Sequence, residues 1–160
     1  MKLAHLLSPE QIILDMEAGE HWASIQELVR ALVDSGALAD HLEEPILASL
    51  KAREELVSTG IGNGVAIPHT FSDELDKVVA IFGRSRQGID FQSIDGEPVS
   101  LIILFIVPRK DYHMHLRTLA AIAKMFTNPE VRRQLLTVET RDEILAILGS
   151  KPSRVAAPSV

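Results

Sequence analysis

The chain has 160 residues, of which 46% are hydrophobic, and 16 basic residues against 22 acidic ones give a formal charge of −6. That is enough apolar material for one well-packed domain and gives no reason to expect two. Having no cysteine excludes disulfides, thiolate metal sites and cysteine nucleophiles; the scattered basic residues form no cationic stripe, so nucleic acid is not expected as a partner.

At the N-terminus, Met1-Lys2-Leu3-Ala4-His5 has neither the long apolar core nor the small-residue cleavage site of a secretory signal. Ser8-Pro9-Glu10-Gln11 combines a cap, a proline at the first helical position and a glutamine that completes a capping box, which predicts a first helix ending at Gly19. Ser24-Ile25-Gln26-Glu27 repeats the pattern, and Ile25, Leu28, Val29 and Leu32 follow at helical spacing up to Gly36. A further helix is predicted over 44–56, with Pro45 tolerated in its first turn. Val78-Val79-Ala80-Ile81-Phe82 reads as a strand. Leu101-Ile102-Ile103-Leu104-Phe105-Ile106-Val107 reads as a second one, apolar on both faces and therefore central.

After Pro108 the helical period returns over 111–126 and closes at Asn128-Pro129. Two shorter helices are predicted over 129–136 and 141–148, the second opened by a Thr140/Glu143 capping box. Residues 151–160 show no periodic face and read as a loose tail. The expected fold is a single α/β domain over 1–150, a mixed β-sheet covered by helices on both faces. The longest strongly apolar run, Val99 to Val107, falls far short of the roughly 20 residues that cross a bilayer. Membrane insertion is not expected, and a cytoplasmic location is.

Two constellations carry possible chemistry. In Ser58-Thr59-Gly60-Ile61-Gly62-Asn63-Gly64-Val65-Ala66-Ile67-Pro68-His69, alternate glycines free the backbone to turn N–H groups toward one point, and an imidazole stands at the end of the path. Glycine spacing alone equally describes an ordinary turn before a strand. No Gly-Lys-Ser/Thr follows, so this is not a nucleotide loop. Pro68 fixes its own φ and extends Ile67, giving His69 a defined exit angle. The second constellation, Asp111-Tyr112-His113-Met114-His115-Leu116-Arg117, opens the helix after the apolar strand, at a strand end where open α/β sheets build sites. His113 and His115 cannot share a helix face; His115, four residues after Asp111 and four before Leu119, is the one a carboxylate could orient. Equally, it reads as a partly buried histidine capped by an aspartate. Without cysteine or a His-Glu-x-x-His pattern, no metal or other cofactor is expected.

Arg53-Glu54-Glu55-Leu56-Val57 with the stretch Ser58 to His69 resembles the phosphorylation-site signature of enzyme IIA proteins of the phosphoenolpyruvate-dependent phosphotransferase system (PTS), in the fructose, mannitol and nitrogen-regulatory class (type 2). The resemblance continues through Gly88-Ile89-Asp90-Phe91, Asp95-Gly96-Glu97-Pro98-Val99 and His115-Leu116 with Leu119-Ala120, and so covers most of the chain from Leu6 to Leu148. It implies that His69 is the phosphoryl acceptor, that His115 sits beside it and helps to hold the phosphoryl group, and that the charge of Arg53 faces the same oxyanions. Backbone N–H groups at Thr59, Gly60, Gly62, Asn63 and Gly64 would bind the phosphate. Where the family commonly has a small residue after the acceptor histidine this chain has Thr70, which would either alter access by a protein partner or offer its hydroxyl to the phosphoryl group.

The implied donor is a phosphohistidine carrier of the HPr kind. Downstream, regulatory protein targets are implied, because the stretch 58–64 is most like nitrogen-regulatory members and no fused transport domain is recognisable. The alternative is a sugar-specific component that passes phosphate to a IIB transport subunit. Nothing in the pattern fixes an oligomeric state.

Overall fold

The computed structural model describes residues 3–110 and 112–149. Its sheet comprises β1 (Ile12–Ile13), β2 (Gly60–Gly62), β3 (Val65–Ala66), β4 (His69–Ser72), β5 (Val79–Ile89) and β6 (Val99–Pro108); its helices are α1 (His21–Asp34), α2 (Glu43–Leu56), α3 (Tyr112–Met125), α4 (Pro129–Thr137) and α5 (Arg141–Gly149). The strand order is β1-β5-β6-β3-β2, with β4 also paired to β6. β5 runs antiparallel to β6, whereas β3 and β4 run parallel to it, end to end along one edge. The sheet is therefore mixed, as the sequence predicts.

β6 is central for the reason its composition announces. Leu101, Ile103, Phe105 and Val107 point into one core with Leu119, Ile122, Leu135 and Ile144 of α3, α4 and α5. Ile102, Leu104 and Ile106 point into a second core with Ile25, Leu28, Leu32, Ile46 and Leu50 of α1 and α2. Each such side chain withdrawn from water stabilises the fold by about 1.5–3 kcal/mol, which no one-sided strand could match.

The expected first helix over 8–19 does not form. Its capping box exists, with Ser8 N–H donating to Gln11 Oε1 at 3.1 Å, but it closes only a 3₁₀ turn over Pro9–Gln11. Ile12 and Ile13 instead extend beside β5, where Ile12 pairs with Phe82 and is fully buried. Tertiary pairing of two β-branched residues outweighs a local cap. α1 begins at His21, ahead of the predicted Ser24 cap, because Glu20 supplies the cap by accepting from Ala23 N–H at 2.9 Å. Ser24 lies inside the first turn and donates to His21 O at 2.6 Å. The α2, α3, α4 and α5 bounds otherwise fall within about a residue of expectation. Asp111 and the tail over 151–160 lie outside the described residues.

Candidate functional site

His69 opens β4 and pairs with Phe105 of β6, so its side chain leaves the sheet on the α3 side. Alternation then sends Thr70, paired with Ile106, to the opposite face and brings Phe71 back to the His69 side. Thr70 is buried and its hydroxyl is hydrogen-bonded to Ser49 Oγ of α2. The hydroxyl is therefore engaged on the α2 side of the sheet and is not offered to the His69 side.

The imidazole is held by the segment just ahead of its strand. Nδ1 lies 3.0 Å from the carbonyl oxygen of Ile67. A carbonyl only accepts, so Nδ1 carries the proton and Nε2 presents its lone pair outward. Arg53 Nη2, from the last turn of α2, stands 3.5 Å from that Nε2, long for a hydrogen bond and close enough to share an anion. The guanidinium lies over the Phe71 ring with Cζ 5.2 Å from the centroid, and Arg109 approaches the same ring at 5.8 Å.

His69 and Arg53 border a cleft of about 530 Å³. Leu56, Val57, Ser58, Thr59, Ile61 and Ile67 form one side; Leu116, Leu119, Ala120 and Ala123 of α3 form the other. Leu56 and Val57 are 83% and 74% exposed, an apolar rim with no cover among the described residues. A second cleft, of about 610 Å³, opens by Trp22 and Lys51, but Glu20, Glu54, Glu55 and Asp90 line it. Four carboxylates repel a phosphoryl anion, so of these two clefts among the described residues the His69 cleft is the one that suits it.

The Gly60 to Gly64 segment is a β-hairpin. Asn63 and Gly64 have φ of 59° and 78°, the left-handed pair that a tight two-residue turn needs. Its N–H groups are partly committed: Asn63 donates to Asp95 Oδ2 at 2.9 Å and Gly60 to Ser58 Oγ at 3.1 Å. The two bonds to backbone N–H, from Asn63 first and Glu97 second, hold the Asp95 carboxyl below its ordinary pKa. Of the five residues expected to contact phosphate, Thr59 lines the cleft, with its N–H and hydroxyl both donated to Glu54; Gly60, Gly62, Asn63 and Gly64 build the hairpin that carries Ile61 to the rim. Gly60 has a packing reason as well, since a Cβ there would meet the buried Ser93 Oγ at 2.1 Å.

His115 is half-buried on α3, one turn before Leu119. It makes no hydrogen bond or ion pair to another described residue, and its expected orienting partner Asp111 lies outside them. The structure thus brings together His69, Arg53 and Thr59, and sets His115 on the helix that forms the opposite wall. Phe71 was missed because no strand was predicted at 69–72; the alternation of that strand would have shown it beside His69. Among the described residues, no group of three or more histidines and carboxylates is placed to hold a metal ion.

Residues 5–151 match the family described as phosphoenolpyruvate-dependent sugar phosphotransferase system, EIIA 2. The chain belongs to that family. Among EIIA type 2 relatives, it is 31% identical to the nitrogen regulatory protein of Bradyrhizobium diazoefficiens over 98% of this chain and 100% of that one. It is 34% identical to the PTS system fructose-specific EIIABC component of Bacillus subtilis, across 93% of this chain but only 23% of that protein's length. The crystal structure of nitrogen regulatory protein IIA-Ntr from Neisseria meningitidis superposes with a TM-score of 0.83 at 35% identity, covering 91% of this chain and 98% of that one. The fold is that of EIIA type 2, and a role as a phosphoryl-transfer component of the phosphotransferase system fits it. Among the described residues, no helix is long and apolar enough to cross a membrane.

Proposed function

We propose that this EIIA type 2 protein carries a phosphoryl group on His69 Nε2, received from a phosphohistidine carrier of the HPr kind, and that its phosphorylation state regulates which proteins it binds. The observation that carries the first part is the Nδ1–H bond to Ile67, which leaves Nε2 as the free nucleophile next to Arg53. The Nε2 lone pair forms a bond to phosphorus while the donor's N–P bond breaks, its electron pair returning to the donor ring; Nδ1 keeps its proton throughout. Both nitrogens are imidazole nitrogens, so the exchange is near balance and needs no strong base.

Charge on the equatorial oxygens is met by the Arg53 guanidinium. His115, on the facing wall, is assigned a supporting hold on the same oxygens. Ile61, Ile67, Leu116 and Leu119 keep water from the adduct, and the exposed Leu56 and Val57 give an apolar docking rim for a carrier protein.

The regulatory reading rests on the match to the nitrogen regulatory protein along the full length of that relative. The fructose-specific relative supports a second reading, in which a IIB subunit receives the phosphate. His69→Ala is expected to abolish labelling from phosphoenolpyruvate in the presence of the upstream carriers; retained labelling removes His69 from the mechanism. A pull-down with phosphorylated and unphosphorylated protein separates the two readings. Non-transport partners captured in one state only support regulation, and a captured IIB subunit overturns it.

A further inference from the structure

We infer that Phe71 is a positioning residue for the transfer, holding the Arg53 guanidinium over the acceptor nitrogen by its ring face. The inference rests on the reading of His69 as the acceptor. Arg53 sits on an exposed final helical turn, where a long side chain ordinarily samples many rotamers. No carboxylate among the described residues pairs with it. Its neighbour Glu54 shows the contrast, with both oxygens taken by His21 and Thr59.

What meets the Arg53 side chain is the face of Phe71, 5.2 Å from Cζ, and the lone pair of His69 at 3.5 Å. The ring itself is steadied by the edge of Tyr112, at 5.7 Å and 79°. Holding by a ring face has a chemical advantage over holding by a carboxylate. A carboxylate would neutralise the guanidinium and occupy its N–H groups; the ring's quadrupole attracts the cation while leaving the donors free for phosphoryl oxygens. Since Phe71 and His69 are two apart on one strand, ring and nucleophile keep a fixed separation, and the arginine laid on one is aimed at the other.

Phosphoramidate is the probe, because a small donor removes protein docking from the readout. In that reaction the Nε2–P bond forms, the P–N bond breaks, and its nitrogen leaves with a proton from water as ammonia. Phosphohistidine formation is followed by ³¹P NMR against donor concentration for the wild type, Phe71→Leu, Phe71→Tyr, Arg53→Ala and the Phe71→Leu/Arg53→Ala pair. Phe71→Leu is expected to lower the maximal rate roughly 3- to 10-fold, Phe71→Tyr to recover most of it, and the double variant to match Arg53→Ala alone. The inference is overturned if Phe71→Leu equals wild type, if Tyr does no better than Leu, or if the two losses multiply.

Should Phe71→Leu fail to fold, the wild-type ¹H spectrum decides: Arg53 δ-protons shifted upfield by the ring support the stack, and unshifted ones overturn it. A His69→Ala control labelled as fast as wild type would instead sink the acceptor reading, with the outcome for Phe71 read separately from the Arg53 resonances.

Discussion

Thr70 shows how one side chain next to the proposed acceptor His69 can belong to the other face of the sheet. Its hydroxyl belongs to α2 through Ser49, on the far face of the sheet. Thr70→Val is therefore expected to cost about 1 kcal/mol, the net value of one such hydrogen bond, and to leave phosphoramidate labelling of His69 within about twofold. Urea unfolding and ³¹P NMR check the two halves; a large loss of labelling with unchanged stability would return Thr70 to the site. At this scale much was legible. Arg53 and His69 stand in a contiguous stretch whose spacing survives folding, so the sequence pointed to both. Thr70 was misread because its orientation depends on strand register, which no residue near it reveals. His115 lies on the helix predicted over 111–126, which forms the facing wall of the cleft.

Elements were legible in proportion to how much of their stability is local. α5 carries its own cap, and Thr140 and Glu143 close the predicted box with both bonds at 3.1 Å. β1 and β4 are made by their partners: Ile12–Ile13 and His69–Ser72 are too short to show a period and are strands only because β5 and β6 lie alongside. The 60–66 hairpin lies between these cases. Its Asn63-Gly64 turn is local, but the loop after β5 braces it through Asp95.

Because those bonds depress the Asp95 pKa below the ordinary 3.8, the brace is complete above that value and is lost as the pH falls through the lower folded value. Asp95→Ala should thus be less stable than wild type at pH 7, with the gap closing in acid below the folded pKa. Urea midpoints for both proteins across that range test this, and a gap that is the same at both ends would contradict it.

At the scale of the molecule, two cores share one sheet, and a single charged group ties its margins together. Arg84 of β5 is 1% exposed, and burial pulls its pKa down from the usual arginine value. It donates to the carbonyls of Leu14 at 3.0 Å, Leu135 at 2.9 Å and Val138 at 2.6 Å, joining the segment after β1 to the end of α4. Arg84→Met keeps the volume but strands three acceptors, an expected loss of about 3 kcal/mol. Arg84→Lys should recover only part, since one ammonium cannot span carbonyls on separate segments. Chemical unfolding measures both, and a loss under about 1 kcal/mol for the methionine variant would show the carbonyls finding other donors. None of this was readable from the stretch Gly83-Arg84-Ser85-Arg86, because the acceptors of Arg84 come from backbone more than 50 residues away. The two-faced sheet was readable, since an unbroken apolar strand admits no other placement.

β4 carries one further consequence. His69 borders the cleft and Phe71 shares its side of the sheet, while Thr70 and Ser72 are buried on the other face. A saturation library over these four codons, scored once for cellular abundance and once for phosphate transfer, should yield two interleaved fingerprints. Odd positions fail in the second screen, and even positions already fail in the first. Selection on abundance and selection on signalling would then act on alternate letters of the same short word.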